Sequence, residues 1–217
     1  MTTLYDGNGN KIEVSGSGSS GGSYGGYQPY SYYEAIGDSL TYGSGYPQKV
    51  AKILQIPNVV SHAVNGSHII GTSVGGMIEQ SQAVSSTCEL CTIMGGTNDC
   101  SDITSGKVGT IGIKDTTTYL GSYQTIIENL LAKNPKMRII LMKPPRCYDR
   151  ELTPFETIND CIDQLHEYYG LPIIDVYNDL GMNEINYLSY LNEDKLHFNT
   201  DGANALTTLV AHSITSI

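Results

Sequence analysis

From residue 32 to its end, the chain alternates short apolar segments with longer amphipathic ones. The apolar segments are typical of strands in a sheet covered on both faces, and the amphipathic segments repeat their apolar residues at helical spacing. Predicted strands cover residues 32–37, 59–60, 89–94, 138–142 and 171–176, and predicted helices cover residues 47–55, 75–84, 119–133, 154–169 and 203–214. Strands that alternate with helices form a parallel sheet with right-handed crossovers. The sequence therefore predicts an α/β domain that binds ligands at the carboxyl ends of its strands.

The first 31 residues have a different composition. Residues 1–14 predict a β-hairpin, because two strand-like segments flank a run of residues that favour a tight turn, Asp6-Gly7-Asn8-Gly9-Asn10. Residues 15–31 are rich in Gly, Ser and Tyr, which is typical of a linker. The predicted organisation is thus a hairpin at 1–14, a linker at 15–31 and the main domain at 32–217. Because two strands alone are marginally stable, the hairpin is expected to pack on the main domain, mediate an oligomer or belong to a larger assembly.

Charge and hydropathy exclude several classes of partner. The formal net charge is -10, from 22 acidic and 12 basic residues, and no run is rich in Lys or Arg. This balance argues against binding to nucleic acid or to an anionic membrane surface. No apolar stretch is long enough to predict a membrane span. The N-terminus shows no signal peptide, which leaves a cytoplasmic protein, part of a phage virion and a processed secreted protein all open.

The cysteines predict reduced thiols rather than a disulfide framework. The chain has five of them, an odd number, in a sequence long enough to bury a full-sized core. Cys88 and Cys91 form a CxxC pair, but no second Cys or His pair completes a four-ligand zinc set. Cys91 also lies inside an apolar run, so we interpret the pair as strand packing rather than a metal or redox site.

Polar residues cluster where the predicted strands end. Ser39 follows the first strand, Gly66 comes after the second, and Asn98 comes after the third. Asp194 and His197 precede the last predicted helix. Because the carboxyl ends of parallel strands meet at one edge of a sheet, we expect these residues to converge there.

These residues are of the types that acyl transfer requires: a nucleophile, a base, a group that orients the base, and donors to the oxyanion. Ser39, on a tight strand-to-helix turn, suits the nucleophile, and His197 suits the base that a serine hydroxyl needs. Asp194 can orient the imidazole from three residues away. The Gly66 N–H and the Asn98 amide can donate to the oxyanion. Structural alternatives are a helix cap for Ser39, a turn residue for Asn98 and a solvated charge for Asp194.

Four sequence blocks, in this order, resemble those of the SGNH (GDSL) hydrolase family. They are Gly37-Asp38-Ser39-Leu40, the Gly66 turn, Gly96-Thr97-Asn98-Asp99 and Asp194-x-x-His197. The resemblance runs from about residue 32 to the end of the chain. It implies a flavodoxin-like, three-layer α/β/α sandwich with about five parallel strands. It also implies a serine esterase or acylhydrolase that uses no metal or other cofactor.

The same resemblance implies a role for each matching residue. Ser39, Asp194 and His197 would form the catalytic triad, and Ser39 N–H, Gly66 N–H and the Asn98 amide would form the oxyanion hole. The second block departs from the family pattern of roughly Asn-x-Gly-x-x-Gly, because residues 61–66 fit only its last glycine. Gly71, a few residues later, is a second candidate for the backbone donor, although we expect Gly66.

The substrate is predicted from the segments expected to wall the site. Residues 100–118 and 145–153 follow the third and fourth strands and contain few large apolar side chains. A long acyl chain would need an apolar trough, whereas an acetyl group would not. The 16 tyrosines also suit a half-polar surface that binds carbohydrate. We therefore expect a carbohydrate or other small-acyl esterase. The alternatives are a lipase for longer chains, or a binding module of a phage-tail or cell-surface assembly with vestigial hydrolysis.

Overall fold

The computed structural model describes residues 30–217 and the backbone of two short N-terminal strands. These strands, Leu4–Tyr5 (β1) and Lys11–Ile12 (β2), pair antiparallel with Leu4 opposite Ile12. The pairing agrees with the strands of the predicted hairpin. The predicted turn at residues 6–10 and the predicted linker up to residue 29 lie outside the described residues, and the division into hairpin, linker and domain stays a prediction.

The main domain is built on a parallel sheet. Its strands are Tyr32–Gly37 (β3), Asn58–Ser61 (β4), Leu90–Met94 (β5), Arg138–Lys143 (β6) and Ile173–Asp175 (β7). They are ordered β4-β3-β5-β6-β7, and every neighbouring pair is parallel. From β3 the chain first adds a strand on one side and then crosses to the other, which is the flavodoxin-like order. A crevice is expected where this direction reverses, at the carboxyl ends of β3 and β5.

Helices cover both faces of this sheet. Their bounds are Ser39–Ser44 (α1), Tyr46–Leu54 (α2), Met77–Ala83 (α3), Cys100–Thr104 (α4), Tyr119–Lys133 (α5), Thr153–Tyr169 (α6), Val176–Asp179 (α7) and Thr200–Ser216 (α8). Cys91 and Ile93 of β5 pack into the core shared with α3 to α6. Leu90 and Met94, on the opposite face of the same strand, pack into the core shared with α1, α2, α7 and α8. This confirms the predicted three-layer α/β/α sandwich.

Several ends differ from the sequence predictions because of local capping. The last strand stops at Asp175, whose side chain accepts a hydrogen bond from Asn178 N–H and starts α7. The last helix begins at Thr200 rather than 203, because the Asn199 side chain caps it through Gly202 N–H at 3.0 Å. All five cysteines are buried and unpaired, as predicted. Across the described part of the chain, no helix combines the length and apolar character that spanning a bilayer requires.

Candidate active site

A tight turn between β3 and α1 presents Ser39 at the edge of the sheet. The side chain of Asp38 caps α1 by accepting a hydrogen bond from Leu40 N–H at 2.9 Å, and Ser39 is the first residue of the helix. At Gly37, the last residue of β3, a Cβ atom would lie 2.1 Å from the hydroxyl oxygen of Thr41. A glycine is therefore required for the helix to start this close to the strand.

A continuous chain of hydrogen bonds runs from Asp194 through His197 to Ser39. His197 Nε2 lies 2.9 Å from Ser39 Oγ, and His197 Nδ1 lies 2.8 Å from Asp194 Oδ2. Because the carboxylate can only accept, the geometry assigns the imidazole proton to Nδ1. Nε2 is then free to accept the proton of the Ser39 hydroxyl.

The Asp194 carboxyl is fixed by the chain that follows it. Its second oxygen, Oδ1, accepts hydrogen bonds from Leu196 N–H and His197 N–H, both at 3.0 Å. The hydrogen bond from the His197 imidazole, together with these backbone N–H groups, lowers the pKa of Asp194 to about 2. The carboxylate is therefore ionised at neutral pH and can stabilise a protonated imidazole.

Backbone hydrogen bonds hold the loop that carries these two residues. Asn192 N–H donates to the His197 carbonyl at 2.8 Å, and Lys195 N–H donates to the Asn192 carbonyl at 2.9 Å. Lys195 has a left-handed φ of 58°, which closes this turn. A single antiparallel bridge pairs Leu191 with Phe198 just outside the turn. The imidazole is thus positioned by a small closed loop at the start of α8.

Three residues that line the groove beside Ser39 carry hydrogen-bond donors. The Asn98 amide donates one hydrogen to the Ser67 carbonyl at 2.8 Å, and its second hydrogen is available. Within residues 30–217, the N–H groups of Ser39 and Gly66 have no protein acceptor. The Gly71 N–H donates instead to the Thr116 carbonyl at 2.9 Å. The structure thus brings Gly66 and Asn98 to the groove with Ser39, and leaves Gly71 outside it.

Asp99 ties two loops of the site together. It is fully buried, its Oδ2 accepts Ile69 N–H at 3.0 Å, and its Oδ1 accepts Ile70 N–H at 2.9 Å. Asp99 thus holds this loop through hydrogen bonds from backbone N–H groups. The turn with Asn98 is therefore anchored to the loop that follows Gly66.

Gln80 is a positioning residue that the sequence analysis missed. Its side chain is buried on α3, where it accepts Gly37 N–H at 3.0 Å and donates to the Gly37 carbonyl at 3.1 Å. It also donates to Ser67 Oγ at 2.8 Å. Gln80 thereby links the turn before Ser39 to the segment after Gly66. The only signal in the sequence is an amide at a position on the apolar face of the predicted helix.

The groove at this site has a volume of about 580 Å³. It is lined by residues from α1, the two donor loops and the His197 loop, which are Ser39, Leu40, Tyr42, Gly43, Ser44, Asn65, Gly66, Asn98, Asn192, Leu196, His197 and Phe198. The prediction that residues 100–118 and 145–153 wall the site is wrong, because neither segment lines this groove. Hydrogen bonds draw residues 107–118 onto α5, as between Tyr119 N–H and the Lys107 carbonyl at 2.9 Å.

One cluster near the site has the residue types of a metal centre. Ligand atoms of His68, Asp99 and Asp102 lie within 4.8 Å of one another. However, backbone N–H groups already occupy both oxygens of Asp99, and Lys107 Nζ pairs with Asp102 at 2.6 Å. Both carboxylates of this cluster therefore already have partners within the chain, and we assign the cluster a structural role.

A family model described as GDSL-like lipase/acylhydrolase matches residues 35–205. The chain belongs to this GDSL-like lipase/acylhydrolase family. The match covers every site residue named above, and membership supports ester hydrolysis as the general activity. No curated protein matches this chain in sequence.

Solved structures related to this GDSL-like acylhydrolase share its fold at low sequence identity. A protein from Lactobacillus plantarum is 20% identical with a TM-score of 0.75, and the alignment covers 88% of this chain and 99% of that one. A lipase/acylhydrolase from Enterococcus faecalis is 19% identical with a TM-score of 0.65, over 85% of this chain and 95% of that one. At such identities the likeness concerns the fold alone.

Proposed function

We propose that this chain is a serine esterase that cleaves small acyl esters through an acyl-enzyme, with acetylated carbohydrate as its substrate class. One observation carries the serine mechanism: the hydrogen-bonded chain from Asp194 through His197 to Ser39, with distances of 2.8 and 2.9 Å. The 2.9 Å between His197 Nε2 and Ser39 Oγ is within the range at which a base takes a proton from a nucleophile, and the 2.8 Å between His197 Nδ1 and Asp194 is a hydrogen bond that orients the base.

In the proposed first step, Ser39 Oγ attacks the ester carbonyl carbon while His197 Nε2 takes the hydroxyl proton. The carbonyl oxygen becomes an oxyanion, which accepts hydrogen bonds from the N–H groups of Ser39 and Gly66 and from the Asn98 amide. Asp194 remains ionised and stabilises the imidazolium. The intermediate then expels the alcohol, which receives the proton from His197.

In the second step, water hydrolyses the acyl-enzyme. His197 takes a proton from the water as it attacks the acyl carbon, and then returns this proton to Ser39 Oγ as the acid leaves. The same three donors stabilise the second oxyanion. The chain, the ester and one water molecule together balance the atoms and charge of the two steps.

The lining of the groove supports a small acyl group. Its side chains include the amides of Asn65, Asn98 and Asn192, and the apolar contribution comes from Leu40, Tyr42, Leu196 and Phe198. Leu40 and Phe198 are buried in the core, so little of their surface is available to an acyl chain. A long fatty acyl chain would leave much of its apolar surface in water or against amides, which is unfavourable.

The test is hydrolysis of p-nitrophenyl acetate, butyrate and octanoate by the wild type and by Ser39→Ala. We expect activity that falls with chain length, and a loss of roughly 10³-fold or more in the variant, since the nucleophile is gone. Thermal unfolding checks that the variant is folded. Rates that rise toward octanoate would replace the small-acyl proposal with a longer-chain acylhydrolase. Equal rates for both proteins would refute the serine mechanism.

A further inference from the structure

The proposed reaction leaves one wall of the groove without a role. This wall consists of Tyr42 and Gly43 on α1 and Asn65 on the loop before Gly66, and we call it the Tyr42 wall. An acetyl group fills only a small part of a groove of about 580 Å³. The groove therefore has room for the alcohol part of the ester as well as for the acetyl group.

The fold does not account for the glycine at position 43. Gly43 lies within α1 and is absent from the residues with positive φ, so its backbone conformation is open to any residue. A Cβ atom built at this position meets nothing within 4 Å. Glycine is less stable than alanine inside a helix, so neither packing nor conformation favours it here. What the missing side chain does provide is space at the wall of the groove.

Tyr42 and Asn65 have the chemistry to bind a sugar ring in that space. Tyr42 is 63% exposed, and within residues 30–217 its hydroxyl has no hydrogen-bond partner. An aromatic face packs well against the C–H groups of a sugar, while the hydroxyl can bond at the rim. The exposed Asn65 amide, also unpaired in this part of the chain, can both donate to and accept from sugar hydroxyls.

We propose that the Tyr42 wall is a subsite for the alcohol part of the ester, and that this alcohol is a sugar ring. The inference rests on the proposed function, because it assumes that Ser39 attacks an ester in the same groove. Tyr42 supplies the apolar contact, Asn65 the polar contact, and Gly43 the room for the ring. These residues determine which alcohol is accepted and take no part in the bond-breaking steps.

The experiment compares glucose pentaacetate with ethyl acetate, which carries the same acyl group on a small alcohol. We measure kcat/KM for both in the wild type, Gly43→Ala, Gly43→Leu and Tyr42→Leu. The ratio of kcat/KM for the sugar ester to kcat/KM for ethyl acetate is expected to fall in Gly43→Ala and to fall further in Gly43→Leu. In Gly43→Leu and Tyr42→Leu it is expected to be at least tenfold below the wild-type ratio. The change should lie mainly in KM for the sugar ester, because a binding contact is lost.

Tyr168→Leu is the matched control, since Tyr168 on α6 is 57% exposed and far in sequence from the groove residues. It is expected to leave the ratio unchanged, and thermal unfolding checks the fold of every variant. An unchanged ratio in both Gly43→Leu and Tyr42→Leu would overturn the subsite. The serine mechanism is judged separately, because Ser39→Ala should abolish turnover of both esters whatever the outcome for the wall.

Discussion

At the scale of single residues, the carboxyl of Asp38 is the least expected group beside the nucleophile. It is buried, Oδ1 accepts Leu40 N–H, and Oδ2 has no partner in the described part of the chain. Burial raises the pKa of Asp38 to about 7, the negative charge of Asp99 adds to this, and the Leu40 N–H opposes it. The residue that caps the helix of Ser39 therefore holds a proton that an exposed aspartate would have lost.

This pKa predicts how stability depends on pH. Between about pH 4 and pH 7 the folded protein keeps a proton on Asp38 that the unfolded chain releases, so stability falls as pH rises through this window. The pKa of about 7 in the folded protein, against the ordinary 3.8, corresponds to a loss of at most about 4 kcal/mol in the free energy of unfolding at pH 8. Asp38→Asn cannot titrate and retains an oxygen for the Leu40 N–H.

The free energies of unfolding of the wild type and Asp38→Asn should therefore diverge with pH. Urea unfolding at pH 4, 6 and 8 is expected to show that the free energy of unfolding of Asp38→Asn rises relative to that of the wild type as pH increases. Asp160→Asn, on the exposed surface of α6, is the control and should show no comparable trend. A difference between the wild type and Asp38→Asn that stays constant from pH 4 to 8 would contradict the assignment.

The residues of the candidate site could be located from the sequence because each one follows or precedes a recognisable element. Ser39 follows β3, Asn98 follows β5, and His197 precedes α8, so the sheet itself brings them to one edge. The roles of Asp38 and Gln80 could not be read in this way. Burial and pairing depend on neighbours from distant segments, which a single sequence does not specify.

At the scale of elements, α3 supports the site through one side chain. Gln80 bonds Gly37 at the end of β3 and also reaches Ser67 and the Gly75 carbonyl, at 2.8 and 3.0 Å. Gln80→Leu would leave the buried Gly37 N–H without an acceptor, at a cost of about 1–3 kcal/mol. It would also loosen the connection between the Ser39 turn and the Gly66 loop.

We therefore expect Gln80→Leu to lower both stability and kcat, measured by urea unfolding and p-nitrophenyl acetate hydrolysis. Gln82→Leu is the matched control, because Gln82 is exposed on the same helix. It should change neither quantity appreciably. If Gln80→Leu destabilised the protein without changing kcat, α3 would support the fold but not the geometry of the site.

Long helices were predictable from the sequence, and the shortest helices were not. The 15-residue α5 and 17-residue α6 carry several repeats of the helical apolar pattern, and the predicted bounds of both are nearly those observed. The 6-residue α1 and 4-residue α7 are too short to show a period, and their start depends on capping by Asp38 and Asp175. The paths of residues 100–118 and 145–153 were misjudged for a related reason, since contacts with α5 and the His197 loop determine them.

At the scale of the whole molecule, the paired strands β1 and β2 raise the question of what stabilises them. Each strand has two residues, and so small a pair is marginal in water unless it packs on something else. Among the described residues, those that line the candidate groove all lie between Ser39 and Phe198. We therefore expect the N-terminal pair to have a role in assembly rather than in catalysis.

This reasoning predicts that removing residues 1–29 changes association but not catalysis. Size-exclusion chromatography with light scattering is expected to show an oligomer for the full chain and a monomer for residues 30–217. Both proteins should hydrolyse p-nitrophenyl acetate with the same kcat per chain. Two monomers would exclude self-association through this segment. A lower melting temperature of the shortened chain would then indicate that the hairpin packs on its own domain, because only intramolecular contacts could account for the lost stability.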